Sequence, residues 1–223
     1  VFDISYPYSA KEYMPFYWSV DEVAKMAFST PRQVVSRHGF ILASSSQLKA
    51  SDVQIVGDYQ GTLDIQEAQI IEPSSSHLKR HDLHLLKVQT HHNDELSSDN
   101  SALYHYQKAI VLQQLYWIKQ WSSILIEHTA QRVIGDKTLL SVSSVKLRLA
   151  EILQHHAWLS LTVDNLNGTL SLDMSEHLAD DIDKLVDMLI KTAGGRALLH
   201  NGLVDMQYIF RLLSQIYLRK NHD

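Results

Sequence analysis

Residues 142–163, VSSVKLRLAEILQHHAWLSLTV, decide the fold. Val142, Val145, Leu149, Ile152, His156, Leu159 and Val163 fall at alternating spacings of three and four, the period that lines one face of an α-helix. Asn165-Leu166-Asn167-Gly168 then ends the helix with residues tolerant of the left-handed conformation. Three more stripes share this period. Leu103, Tyr106, Ile110, Trp117, Trp121 and Ile124 precede it, with Gln114 interrupting. Leu178, Ile182, Leu185 and Leu189 follow, closed by Gly194-Gly195, and Met206, Ile209, Leu213 and Ile216 come last. Four long amphipathic helices with short connections predict an antiparallel four-helix bundle over residues 101–223.

Toward the N-terminus the period shortens to two. Gly39-Phe40-Ile41-Leu42-Ala43, Val53-Gln54-Ile55-Val56 and the run from Leu63 to Ile71 read as strands, with Gly57-Asp58-Tyr59-Gln60-Gly61 as a turn. They predict a small antiparallel β region within residues 1–75. Composition shifts near Pro73. Ser74-Ser75-Ser76 opens a polar, His-rich stretch that reads as a linker over 76–100, holding at most a short helical turn. The expected class is α+β, mainly α.

Composition narrows the chemistry. The chain has 223 residues, 45% hydrophobic and 20% charged, enough for a substantial core. The absence of cysteine excludes disulfides, thiolate nucleophiles, Cys-ligated zinc and iron–sulfur clusters. A net charge of −5 gives no general pull toward nucleic acid or an anionic membrane. Ala109 to Ile126, the most apolar stretch, is broken by glutamines, a lysine and a Ser122-Ser123 pair, so no span of about 20 apolar residues exists. The first residues are Val1-Phe2-Asp3-Ile4, with no Met and no secretory pattern. The expected location is the cytoplasm, with residue 1 a processed or internal start.

Common catalytic motifs are missing. There is no phosphate-cradling loop, no G-x-G-x-x-G, no H-E-x-x-H and no G-x-S-x-G. His77, His81 and His84, with Asp82 between and His91-His92 following, would share one face of a helix. Without a second ligand cluster they read as a solvated linker rather than a metal site. His156 reads as a hydrogen-bonded core histidine. The aromatics Tyr6, Tyr8, Tyr13, Phe16, Tyr17 and Trp18 have only Lys11 as a basic neighbour. Packing against the bundle or a partner chain explains them better than base stacking.

Three landmarks carry a family resemblance. Arg132-Val133-Ile134-Gly135-Asp136-Lys137-Thr138-Leu139 runs without a gap into Lys146-Leu147-Arg148-Leu149-Ala150. Gly194-Gly195 leads to Tyr208-Ile209-Phe210-Arg211-Leu212 and then Ile216-Tyr217-Leu218. Upstream, Leu63 to Pro73 looks like a strand closing a β domain. In order and spacing these resemble the C-terminal helical domain and the end of the middle β domain of the acyl-CoA dehydrogenases, over roughly residues 50–218. The resemblance implies a flavin adenine dinucleotide (FAD) cofactor, an acyl-CoA ligand, and assembly with a second copy or a full-length homologue. Arg132 matches the arginine that reaches the flavin pyrophosphate across a subunit interface, its fork suited to phosphate. Gly194 and Gly195 match the turn that lets backbone approach the cofactor. Read without the family, Arg132 is a surface charge near a helix end and the glycines are a helix cap.

The departures bear on activity. Most members remove the substrate's α proton with a glutamate whose position here is Leu218, followed by Arg219 and Lys220. Others place the base where this chain has Tyr106, followed by Gln107. Leucine accepts no proton, and a phenol with a reference pKa near 10 is a poor base at neutral pH. Asp136 puts negative charge close to the expected phosphate, Ser144 replaces a family glutamine, and Ala197 and Leu198 replace a glycine and an aromatic. About 75 residues before the linker suffice for part of a β domain only. The expectation is a shortened, degenerate member, non-catalytic by itself. The alternatives are an active flavoenzyme with a relocated base such as Glu151 or Asp205, and a helical scaffold without a small-molecule ligand.

Overall fold

The computed structural model describes residues 16–58, 61–62, 68–71, 76–88, 101–166, 170–195 and 202–220. The chain order is α1 (Val20–Phe28), β1 (Gln33–Ser36), β2 (Phe40–Ser44), α2 (Ser45–Lys49), β3 (Gln54–Gly57), β4 (Gly61–Thr62), β5 (Ala68–Ile71), α3 (Ser76–Arg80) and β6 (Leu83–Val88). It continues with α4 (Ser101–Gln131), the hairpin β7 (Val133–Ile134) and β8 (Lys137–Thr138), α5 (Ser143–Asp164), α6 (Leu172–Ala193) and α7 (Leu203–Leu213), which runs into a π turn over Ser214–Leu218. The fold is mostly helical with small sheets, as the periodicities predict.

Polar contacts fix the direction of the long helices. Lys108 Nζ donates to the Leu166 carbonyl at 3.0 Å and His156 Nε2 to the Leu115 carbonyl at 3.0 Å, so α4 and α5 are antiparallel. Asp187 of α6 accepts from Gln207 of α7 at 2.6 Å, while Asp183 accepts from Arg219 at 3.1 Å, so α6 and α7 are antiparallel too. Their apolar stripes merge into one core. Trp121, Ile152, Ile182, Leu185, Ile209 and Leu213 are all fully buried there. Phe16 and Trp18 join it, edge-on to Trp117 and Phe210, while Tyr17 stays half exposed. Tyr6, Tyr8, Tyr13 and Lys11 lie outside the described residues.

The β region differs from expectation in three ways. First, β1 and β3 pair in parallel, Gln33 with Gln54 through Ser36 with Gly57. Only the remaining pairs, β2–β6, β5–β6 and β3–β4, are antiparallel. Gly57 permits the parallel approach: its φ is +104°, and a Cβ there would strike the Ser36 carbonyl oxygen. Second, the stretch read as a linker over 76–100 contains α3 and β6, and β6 is the central strand of the sheet β2-β6-β5. Its Leu83 and Leu86 are buried, and burial of apolar side chains outweighs the polar character of the segment. Residues 89–100 lie outside the described residues, as do 63–67 of the strand expected over 63–71. Third, α1 was not anticipated. Ser19 caps it by accepting from the Glu22 N–H, and Val20, Val23 and Ala24 are its buried face.

Smaller corrections concern helix ends. Val142 is 39% exposed and sits ahead of α5 rather than in its stripe. Asn165 caps α5 in the right-handed conformation, φ −78°, and Asn167 and Gly168 lie outside the described residues.

Tyr217 ties sheet to helices. The fully buried Tyr217 hydroxyl donates to the Val35 carbonyl of β1 at 3.1 Å and accepts from the Leu42 N–H of β2 at 3.0 Å. The Tyr217 carbonyl accepts from Arg37 Nη1 and from Gln107 Nε2 of α4. Arg37, 4% exposed, also donates to the Arg219 carbonyl at 3.0 Å through Nη2. Burial lowers the ordinary value of this guanidinium, with Asp58 and Tyr104 pulling the other way.

Two stability predictions follow from the interior. Tyr217→Phe strands a buried N–H and a carbonyl and is expected to cost about 1–3 kcal/mol in urea unfolding. Gln114 is fully buried, and both ends of its amide lack a partner among the described residues. Gln114→Met, which keeps the volume and removes the unpaired amide, is expected to raise stability by about 1 kcal/mol; a lower unfolding midpoint would show that the amide is satisfied.

Candidate functional site

The resemblance places a base at Leu218 or Tyr106, and the fold brings both positions to the sheet–helix junction. Leu218 is fully buried at the end of the π turn. Its carbonyl accepts from Ser175 Oγ of α6 at 3.0 Å. The next two residues are tied to α6 by charge. Arg219 meets Asp180 at 2.7 Å and Asp183 at 3.1 Å, and Lys220 pairs with Asp173. Asp183 is half-buried, and its burial raises its carboxyl above the ordinary value against the opposing pull of Arg219. The main chain at this position is thus held from the sheet side by Arg37 and from the helix side by α6.

Tyr106 is 2% exposed, stacked on Phe28 at 6.0 Å and edge-on to Tyr217 at 5.2 Å. Burial, then the neighbouring Tyr217 and Asp21, hold its phenol well above the ordinary value. Such a group stays protonated at any physiological pH. Gln107 beside it is spent on the Tyr217 carbonyl.

The alternative carboxylates are no better placed. Glu151 is exposed on α5. Asp205 is 3% exposed, and both its oxygens lie 2.9 Å from Arg80 Nη1 while Oδ1 also meets His77 Nδ1. It anchors α3 to α7 as a saturated ion-pair acceptor. An open groove of about 320 Å³ lies alongside, lined by His77, Gln207, Tyr208, Arg211 and Gln215 among others.

The histidines behave as packing residues. His77 stacks on Tyr208 at 4.8 Å, His81 is 1% exposed and accepts from the Trp18 N–H at 3.4 Å, and His84 is 2.8 Å from Ser45 Oγ. They do not form the solvated linker expected of them; each has a separate partner. Among the described residues no group of three or more His, Asp or Glu side chains is placed to hold a metal ion. His156 is a half-buried, hydrogen-bonded residue as expected, drawn below its ordinary value by burial.

The positions matched to flavin contacts lie elsewhere. Arg132 is exposed, just after α4 and at the base of the β7–β8 hairpin, where its carbonyl accepts from the Leu139 N–H at 2.7 Å. Its guanidinium has no partner among the described residues. Gly194 caps α6 with φ +57°, its N–H donating to the Ile190 carbonyl, and a Cβ on either glycine would meet nothing within 4 Å. α4 lies antiparallel to α5, and the short step from Asp164 to Leu172, with His155 of α5 3.9 Å from Asp181 of α6, turns α6 antiparallel to α5 as well, so both points are at one end of the helical layer. Ala197 and Leu198 lie outside the described residues. Sequence reasoning missed Arg37, Gln107 and Tyr217, whose partners lie as much as 182 residues away and leave no local signal.

No family sequence model matches the chain, and no curated protein matches it in sequence. Solved structures do match it in shape. An acyl-CoA dehydrogenase from Geobacillus kaustophilus superposes with a TM-score of 0.58 at 13% identity, over 85% of this chain and 60% of that one. Butyryl-CoA dehydrogenase from Megasphaera elsdenii gives 0.54 at 11%, over 85% and 60%. A glutaryl-CoA dehydrogenase from Mycobacterium smegmatis, in complex with FADH2, gives 0.57 at 13%, over 86% and 59%. The chain thus spans about three-fifths of each of these proteins. Over the greater part of its length, this chain has the fold of the acyl-CoA dehydrogenases.

Proposed function

We propose that this chain is an acyl-CoA dehydrogenase-like subunit that performs no dehydrogenation by itself and works by association, with a second copy or with a full-length homologue. One observation carries the reading. Both positions that the family resemblance assigns to the base are filled by buried, non-basic side chains, Leu218 and Tyr106, locked together through Tyr217. Proton abstraction needs a base within hydrogen-bond reach of the substrate carbon. A flavin ring and a thioester would also need open space beside Leu218, and Leu218 is fully buried, its carbonyl bonded to Ser175 and that of Tyr217 to Arg37. The residues of the chain's own reaction site therefore do not fit FAD.

The exposed Arg132 and the open Gly194-Gly195 turn are a different matter. Standing at one end of the helical layer, they support a role as half of a flavin site completed by a partner, with the arginine facing phosphate and the glycines giving backbone access. Among the described residues no helix is long and apolar enough to cross a membrane, and we place this role in the cytoplasm without nucleic acid. The relocated-base alternative lacks a free buried carboxylate at Glu151 or Asp205. A scaffold without any small molecule remains the competing outcome of the test.

The full chain, mixed with FAD and freed of excess, is expected to show no flavin absorption and no acyl-CoA-dependent dye reduction. Retained flavin that acyl-CoA bleaches would overturn the proposal. In a complex with a complete homologue, Arg132→Ala is expected to reduce flavin content without dissociating the subunits. An unchanged content would favour the scaffold.

A further inference from the structure

One face of α7 and of the turn that follows it carries a groove of about 320 Å³, at the lower end of small-molecule sites. Val204, Gln207, Tyr208, Arg211, Leu212 and Gln215 form one wall. Their spacings of three, one, three, one and three place them together along the helix. His77 of α3 stands opposite. None of these residues is at a position assigned to the base or to flavin.

The His77 side is fixed from behind. Its imidazole lies against the Tyr208 ring, with centroids 4.8 Å apart and planes 27° apart. Asp205, its side chain 4% exposed, accepts from His77 Nδ1, and both its oxygens lie 2.9 Å from Arg80 Nη1. A buried ion pair adds little stability over a well-packed apolar replacement. This one holds two flat rings in a single orientation at the edge of the groove, which is the support that a preorganised binding site needs.

Charge and shape together select the ligand. Two carboxylates stand near the groove, and both are engaged by groups around it. Asp205 is held by His77 and Arg80, while Asp187 of α6 accepts from Gln207 Nε2 at 2.6 Å and from Arg211 Nη2 at 3.4 Å. The lining itself presents an imidazole, a phenol, a guanidinium and two carboxamides, and no carboxylate. Arg211 is half exposed, its contact with Asp187 is long, and it has no other partner among the described residues. A guanidinium of this kind pairs with a ligand carboxylate through parallel N–H donors. Gln207 keeps Asp187 satisfied when Arg211 turns to the ligand. The stacked His77 and Tyr208 favour a flat ring, and Val204 and Leu212 supply apolar contact between ring and charge. We infer that this groove binds a planar aromatic carboxylate of one or two rings.

The inference does not depend on the proposed function, and its test reads binding only. The probe is 2-naphthoate, followed by saturation-transfer NMR and calorimetric titration on the full chain. A dissociation constant on the order of 1 mM or tighter is expected for a ligand of this size in an open site. 2-Naphthalenemethanol keeps the rings without the charge, and cyclohexanecarboxylate keeps the charge without a flat ring; each should bind at least about fivefold more weakly. Inorganic phosphate should not compete. Arg211→Gln should remove the preference for the acid over the alcohol. Tyr208→Leu should weaken naphthoate about tenfold, with the helical circular dichroism unchanged. No saturation transfer to naphthoate at about 5 mM would overturn the inference. Equal binding of acid and alcohol by the unaltered chain, or displacement by phosphate, would overturn the ligand class. Naphthoate binding that is indifferent to both substitutions would place the ligand elsewhere and overturn the site.

Discussion

The structure depends on a buried arginine satisfied by main-chain carbonyls. Arg37 leaves the end of the first strand, crosses into the interior and donates to Tyr217 and Arg219. A buried guanidinium without acceptors costs several kcal/mol; here the C-terminal turn supplies them. Tyr217 answers from the other direction, its hydroxyl bonding the backbones of two strands that do not belong to the same hydrogen-bonded sheet. Three separate layers of secondary structure are thereby tied to one peptide unit. The π turn over Ser214–Leu218 belongs to the same arrangement. A widened helical turn changes which side chains face inward, and in this one Ile216, Tyr217 and Leu218 are buried in succession, with Ser214 buried one position before the exposed Gln215.

This closure joins the sheet and helical layers at the positions that the family resemblance assigns to the base. In this chain the layers meet directly through hydrogen bonds and aromatic edges at the same junction. The ionic contacts of Arg219 and Lys220 with α6 sit outside that junction and are partly exposed, so each contributes little individually. They fix the direction of the terminal turn, while the buried hydrogen bonds supply its cohesion.

Much of the architecture was legible in the sequence. The three-and-four spacings located α4, α5, α6 and α7, because each helix has a continuous buried stripe. Strands β2 and β3 showed as short apolar runs bounded by turn residues. β6 was hidden because Leu83-His84-Leu85-Leu86-Lys87-Val88 sits among histidines and charges, and its central place comes from pairing on both edges, which local composition does not encode. Parallel pairing of β1 with β3 likewise depends on the glycine at 57 and the path between the strands. At the candidate site, the absence of a carboxylate at 218 and 106 was plain from residue identity. That both positions are sealed by Arg37 and Tyr217 was invisible, since those partners are brought together only by the tertiary fold.

The span of the Arg37–Tyr217 contact has a consequence for how the chain reaches its fold. The bond closes a loop of 180 residues, and contacts of such long sequence separation are formed late and slowly. During synthesis β1 and β2 emerge long before Tyr217, with Val35 and Leu42 lacking the hydroxyl that will pair with them. α4, α5 and α6 can collapse on each other through their local stripes before that. The sheet layer stays incomplete until Tyr217 has left the ribosome. The local helical stripes can therefore form before this junction does, and β1 and β2 wait on a residue made 180 positions after Arg37.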